Sequence, residues 1–163
     1  MKTLRKIGMA FLAVVLCVSF AACSDDDDSG KIDPSQLAGI WALSHIEGVE
    51  YDENGNAEQY SKDFKIDPIE EAEEDIFRFE RTSSPNKYNV FYLSYDEYSK
   101  NFYENNMGTV TIEDGWLIGS DRDRWGEPER ILELSSKKLV LFTEADLSLR
   151  DTQSEKSTFT KVR

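Results

Sequence analysis

The sequence predicts an all-β fold: an antiparallel up-and-down β-barrel of about eight strands, with one or two short helices. Three observations carry this. Short apolar–polar alternations recur from Gly39 to the C-terminus, the period of a strand with one buried face. Turn dipeptides punctuate them, Asn54-Gly55 and Asp114-Gly115 above all. No stretch after residue 37 offers a set of crossover helices, and parallel strands need connections of about a dozen residues or more. The 163 residues are one domain's worth of chain, 39% hydrophobic, which suffices for one core. The formal charge of −13 excludes a binder of phosphate backbones, so no nucleic-acid partner is expected.

The elements follow in order. Residues 1–22 read as a targeting segment to be set aside from the fold. Lys2, Arg5 and Lys6 form a positive start, and Met9 to Phe20 is apolar apart from Ser19. That run is shorter than the ~20 residues a membrane-spanning helix needs. Ala21 and Ala22 then place small residues directly before Cys23. The pattern resembles the lipobox of bacterial lipoproteins, with Phe20 where Leu is usual. The resemblance implies a lipoprotein signal peptide, cleavage before Cys23, lipidation of that cysteine (palmitate among its acyl chains), and insertion in the outer membrane of the cell envelope. An ordinary secretory signal with a coincidental cysteine, or an uncleaved anchor, is the competing reading. Of the 2 cysteines, Cys17 leaves with the signal, so the mature chain has no thiol for a disulfide or a thiolate metal site.

Residues 23–36 read as the lipidated cysteine and an acidic, disordered tether. Asp25 to Asp28 repel one another and cannot pack. The run resembles the acidic export signal behind the acylated cysteine of Bacteroides-type surface lipoproteins. That implies exposure at the cell surface, with a periplasm-facing anchor as the alternative.

Residues 37–163 read as the barrel domain. Gly39 to Glu47 is the first strand, with Ile40, Ala42, Ser44 and Ile46 on one face and Trp41, Leu43 and His45 on the other. Asp52 to Asn56 is a turn. Asp67-Pro68 before Ile69, Glu70 and Glu71 predicts a short helix, capped by Asp67 with Pro68 in its first position. Ile76 to Phe79 and Lys87 to Tyr95 are strands, the second apolar on both faces. In Asp96 to Asn106, the positions of Tyr95, Tyr98 and Phe102 match helical spacing; an irregular loop is the alternative. Met107 to Ile112 and Trp116 to Ser120 form a hairpin, as do Arg130 to Leu134 and Leu139 to Thr143. A charged loop spans Ser120 to Pro128, and Lys156 to Val162 closes the chain.

The Leu37-Ala38-Gly39-Ile40-Trp41 start, Ile76 to Phe79, Ile131 to Leu134 with Leu139 to Leu141, and the Ser157 to Val162 ending together resemble the lipocalin-like domains of small Bacteroides-type lipoproteins. Gly39 and Trp41 match the first-strand Gly-x-Trp of lipocalins, whose tryptophan closes one barrel end. The missing disulfide and the aromatic 95–106 segment depart from that pattern. The resemblance implies a lipocalin-like barrel and little about activity.

No catalytic constellation stands out, and no enzyme, cofactor or metal is expected. His45 is the sole histidine and cannot by itself make a triad or a zinc site. With 32 acids, carboxylate pairs arise by chance; Glu70 to Asp75 read as a wet face. Asp121, Asp123 and Glu127 offer alternate oxygens for calcium, but Arg122 and Arg124 repel it. The aromatic concentration around Tyr92, Tyr95, Tyr98 and Phe102, with Trp125, is the candidate ligand-binding set, against the alternative that these rings only fill the core. The function expected is non-catalytic binding of a small hydrophobic or carbohydrate-like ligand. The alternative is an accessory lipoprotein that docks a partner protein. A cavity of at least ~300 Å³ lined by those aromatics separates the two.

Overall fold

The computed structural model describes residues 32–52, 55–120, 127–144 and 153–163. Cys23, the signal, the tether up to Lys31, and the Asp121, Asp123 and Trp125 loop lie outside the described residues, whereas the end of the expected tether, Pro34–Gln36, is an ordered 3₁₀ turn capped by Asp33. The chain divides into Met1–Gly30 and Lys31–Arg163, and the second unit carries the fold.

The strands are β1 (Gly39–Tyr51), β2 (Ala57–Asp63), β3 (Ile76–Arg81), β4 (Lys87–Asp96), β5 (Asn101–Glu113), β6 (Trp116–Gly119), β7 (Glu129–Leu134), β8 (Lys138–Thr143) and β9 (Gln153–Lys161). All pair antiparallel, in the order β2-β1-β3-β4-β5-β6-β7-β8-β9, and β9 returns to β1. Strands β1 and β3 to β9 therefore close an eight-stranded up-and-down barrel. β2 is an additional strand beside β1.

One edge of β1 pairs with β9 from Trp41 to Glu50. Its other edge is shared: Gly39 to Ala42 face β3, and His45 to Tyr51 face β2. The handover is continuous, because Leu43 N–H donates to the Asp75 carbonyl at 2.9 Å while Phe64 N–H donates to Ser44 at 3.0 Å. Between them, residues 65–75 leave the sheet and return. Their Ile66, Ile69 and Ala72 pack with Ala42, Ile76, Leu93 and Phe91 as a small outer core. This explains why β4 is apolar on both faces: one lines the barrel and the other lies under that strap.

Four local expectations change. The Asp67-Pro68 segment forms only a 3₁₀ turn, Ile69–Glu71, in which Pro68 is the cap residue and no side chain caps. The chain must rejoin β1 at Asp75, which leaves no room for a longer helix. Tyr95 and Phe102 meet across the β4–β5 ladder, not along a helix: they are register partners with ring centroids 5.1 Å apart. A bulge between Leu43 and His45 reverses the strand's faces, so Ile46 joins Trp41 and Leu43 in the barrel core. His45, expected on the Trp41 face, instead meets Asp63 of β2, Nδ1 to Oδ1 at 2.6 Å. Finally, β2 is a strand in a stretch after the Asp52 to Asn56 turn to which the sequence reading assigned no element.

One barrel end is sealed. The Pro34–Gln36 turn, capped by Asp33, lays Leu37 into the core at 0% exposure beside Trp41, also 0%. Trp41 Nε1 donates to the Leu37 carbonyl at 2.7 Å, and Arg81 Nη2 donates to Ser35 at 2.9 Å. The Tyr88 hydroxyl donates to the Pro34 carbonyl. Lys161 donates to Gln36 at 2.9 Å and sits 4.9 Å from the Trp41 ring. Burial holds its ammonium below the ordinary lysine value. Gly39 makes the approach possible: at φ +136°, a Cβ there would strike Lys161 Cε and the Arg163 carbonyl.

Gly39→Ala should therefore lower stability by about 1–3 kcal/mol. Gly55→Ala, with open space around its Cβ position, should cost no more than about 1 kcal/mol. Urea denaturation of both variants checks this; equal losses would sever Gly39 from the seal.

Candidate functional site

The residues that point into a barrel are fixed by strand period. Among them, Glu155, Ser157 and Phe159 of β9, Phe77 and Phe79 of β3, Leu139 and Leu141 of β8 and Leu43 of β1 border one space. With Asp75, Met107 and Glu129 they line a cavity of about 240 Å³. Its lining divides between apolar side chains and the polar Asp75, Glu129, Glu155 and Ser157. Phe77 packs against Phe79 and Phe159, with ring centroids 6.4 and 6.0 Å away.

The polar lining gathers at one end. β3, β7 and β9 run toward the sealed end, because each is antiparallel to a neighbour that starts there. Asp75 immediately precedes β3, Glu129 opens β7, and Glu155 lies near the start of β9. The three carboxylates thus sit at the level opposite the Leu37 and Trp41 seal.

Each has a defined setting. The Glu129 carboxylate accepts from Thr143 Oγ1 at 3.4 Å, a long bond. It keeps some accessible surface, yet that surface faces the cavity and protein surrounds the rest. Burial, reinforced by the charge of Glu155, pushes its pKa up to about 7. Glu155 accepts from Ser157 Oγ at 2.8 Å, from the Tyr60 hydroxyl at 2.9 Å and from Gln153 Nε2 at 3.3 Å. Gly48 permits the Tyr60 contact. Its register partners are Tyr60 on one side and Glu155 on the other, and a Cβ there would overlap the phenol. Burial and then the charge of Glu74 raise Asp75, while a hydrogen bond with the Tyr92 phenol opposes the shift. Burial, with the Asp75 charge behind it, raises the Tyr92 phenol in turn.

Asp75 also lines a second, outer hollow of about 570 Å³, bounded by residues 69–76, Tyr92, Tyr95 and Glu97. That hollow holds two of the residues chosen from sequence. Tyr92 packs edge-on against Phe77 with centroids 5.8 Å apart, and Tyr95 stacks obliquely on Phe102. Tyr98 stands at the β4–β5 turn, 99% exposed. The structure therefore brings Tyr92, Tyr95 and Phe102 into one neighbourhood and leaves Tyr98 outside it. The barrel cavity is smaller than the size set out above and is lined by other residues. Of its acids, Glu129 and Glu155 were missed among many, and Asp75, read from sequence as part of a wet face, lines the cavity instead. Their signal was phase: Glu129 precedes Ile131, and Glu155 precedes Phe159, at the spacing of the buried face.

Among the described residues, no three His, Cys, Asp or Glu side chains converge as metal ligands.

No protein-family model matches the sequence. No curated protein matches it either. Among solved structures, a redesigned β-barrel is similar over 80% of this chain and 96% of its own, at 13% identity and a TM-score of 0.36. Lobster apocrustacyanin A1 is similar over 79% of this chain, at 10% identity and a TM-score of 0.39. The match spans 62% of the lobster chain. The barrel assignment rests on this chain's own closed ladder.

Glu129 makes stability depend on pH. Its folded pKa of about 7 exceeds the ordinary 4.5. The native state therefore holds the proton more tightly, and stability falls as pH rises from about 4.5 to 7. The loss is at most about 3 kcal/mol. Glu129→Gln should gain about 1–3 kcal/mol over the parent at pH 8 and little at pH 4.5. Urea titrations at the two pH values measure it; a gain independent of pH would sink the assignment.

Proposed function

We propose that this protein is a lipid-anchored, non-catalytic binding module that holds a small, largely apolar molecule inside its barrel. The observation that supports this best is the cavity: apolar rings and aliphatic side chains deep in the barrel, polar groups at one level, and a plug at the opposite end. A filled core would instead pack to the density of an organic crystal, with few voids larger than a water molecule. The volume equals about eight waters at ~30 Å³ each, room for one ring with a short chain. The apolar part of the lining, Phe77, Phe79 and Phe159 with Leu43, Leu139 and Leu141, favours such a molecule over a sugar, whose hydroxyls would need matching partners throughout. The anchor is Cys23, on the lipobox-like sequence before it, with the acidic run behind it favouring the outer face of the outer membrane.

A second reading, docking of a partner protein, draws on Tyr98 and Tyr103, 99% and 58% exposed near the β4–β5 turn.

Two outcomes are expected. The neutral probe 2-phenylethanol should bind with a dissociation constant of micromolar to low millimolar order, about −4 to −8 kcal/mol. Leu141→Phe, which fills the cavity from β8, should weaken it at least about tenfold at a folding cost of about 1–3 kcal/mol. Protein-observed NMR titration reads both; unchanged affinity in the variant would place the probe elsewhere. Separately, Cys23→Ser should move the protein from the membrane fraction to the soluble fraction of the cells. Retention in the membrane would refute the acyl anchor.

A further inference from the structure

The cavity's charged groups are of one sign. Asp75, Glu129 and Glu155 line it, and among the described lining residues there is no lysine, arginine or histidine. The nearby described cations are engaged elsewhere: Lys62 with Glu74 at 3.6 Å, Lys156 with Glu47, and Lys65 with Glu71. What holds Glu155 is a set of neutral donors, Tyr60, Ser157 and Gln153. These fix its carboxylate in place without cancelling its charge.

We propose that the molecule this barrel holds is an organic cation, a protonated amine carried on a small aromatic or aliphatic body, with the body against Phe77, Phe79 and Phe159 and the ammonium among Asp75, Glu129 and Glu155. The inference rests on the binding reading above and names the ligand class for that same cavity. Three features converge on it. The first is the division of the lining, hydrocarbon deep and carboxylate at the opposite level, which matches an amphiphilic cation end for end. The second is the spread of the acids. They come from the lead-in to β3, from β7 and from β9, and among the described residues no three acids converge as metal ligands. An ammonium attached to a body that the walls grip needs only one or two of these acceptors within reach of its three donors, where a metal ion needs a full set. The third is the outer hollow. Glu70, Glu73 and Glu97 line it beside Glu71 and Glu74, whose charges Lys65 and Lys62 offset, and Asp75 belongs to both spaces, so the hollow stays net negative. A cation approaching this end meets an attractive field before it meets the cavity, and an anion meets repulsion. Binding also relieves a cost of the empty state, since an ammonium beside Glu129 compensates a carboxylate otherwise crowded by Glu155.

The test uses three probes with one ring and one chain length: 2-phenylethylamine, 2-phenylethanol and phenylacetate. Each is titrated calorimetrically into the full chain at pH 8. The amine should bind at least about tenfold tighter than the alcohol, and phenylacetate weaker than either. Glu155→Gln and Glu129→Gln should each cut amine affinity about fivefold or more, and by a larger factor than they change the alcohol's. Asp75→Asn serves as a third, independently placed variant, and the unfolding midpoint of each reports that it folds. Added salt should weaken the amine and not the alcohol. Equal affinity for amine and alcohol, a preference for phenylacetate, or loss of amine and alcohol together in the acid variants would overturn the cation. Binding of the alcohol without the amine overturns the ligand class and leaves the cavity as a binding site. Failure of all three probes overturns both.

Discussion

The barrel depends on β1 having a partner for every backbone group on both edges. β9 supplies one edge along most of the strand. The other is divided between β3 and β2, with the change at Leu43 and Ser44. Without that division, one half of β1 would present an open row of donors and acceptors. The division forces the intervening chain out of the sheet, and the excursion is put to use. Its apolar residues cover the outer face of β1, β3 and β4. Its last residue, Asp75, re-enters at the level of the other interior acids. Closure, the outer core and the position of one site carboxylate are thus a single solution to an edge-pairing problem.

Much of this was legible in the residues. The eight barrel strands follow the apolar phase, because burial on one face is what the alternation encodes. β2 escaped for the same reason: Ala57 to Asp63 is nearly all polar and exposed, and only Tyr60 turns inward. It is a strand because β1 offers it a ladder, and pairing leaves no trace in hydropathy. Tyr95, Tyr98 and Phe102 gave the opposite error. Spacings of three and seven suit a helix, but a hairpin centred between Tyr95 and Phe102 also makes those two partners. The bulge after Leu43 is a third kind of failure. One inserted residue reverses the faces of everything beyond it, and nothing in the local composition of Ser44-His45-Ile46 announces it.

The site was less legible than the fold. Aromatic residues advertise themselves by rarity, and so the reading settled on Tyr92, Tyr95, Tyr98 and Phe102, with Trp125 outside the described residues. Acids are common here, and a carboxylate inside a barrel looks in sequence like one outside it. What separates Glu129 and Glu155 from the rest is membership of the inward phase of a strand whose other inward positions are Ile131 and Phe159. That distinction needs the register, and the register needs the closed ladder. The aromatics were not irrelevant, since Tyr92 touches both Phe77 and Asp75 and so stands where the outer hollow meets the interior.

Gly48 shows why the acidic level is a built feature of the barrel and not a residue of poor packing. A glycine in mid-strand gives up side-chain contacts and raises the entropy cost of folding, about 0.5–1 kcal/mol against alanine. Here it opens a lane through which the Tyr60 phenol crosses β1 from β2 to reach the Glu155 carboxylate on β9. The outcome is a charge held at a fixed point of the interior by three neutral donors. Glu129, two strands away, is crowded by that charge and rises toward neutrality. A chain selected for stability alone would gain by replacing either acid with a hydrocarbon of similar volume. The arrangement instead spends a glycine, a tyrosine and the stability lost at Glu129 on keeping Glu155 oriented, and the return on that expense lies in what the carboxylates can hold.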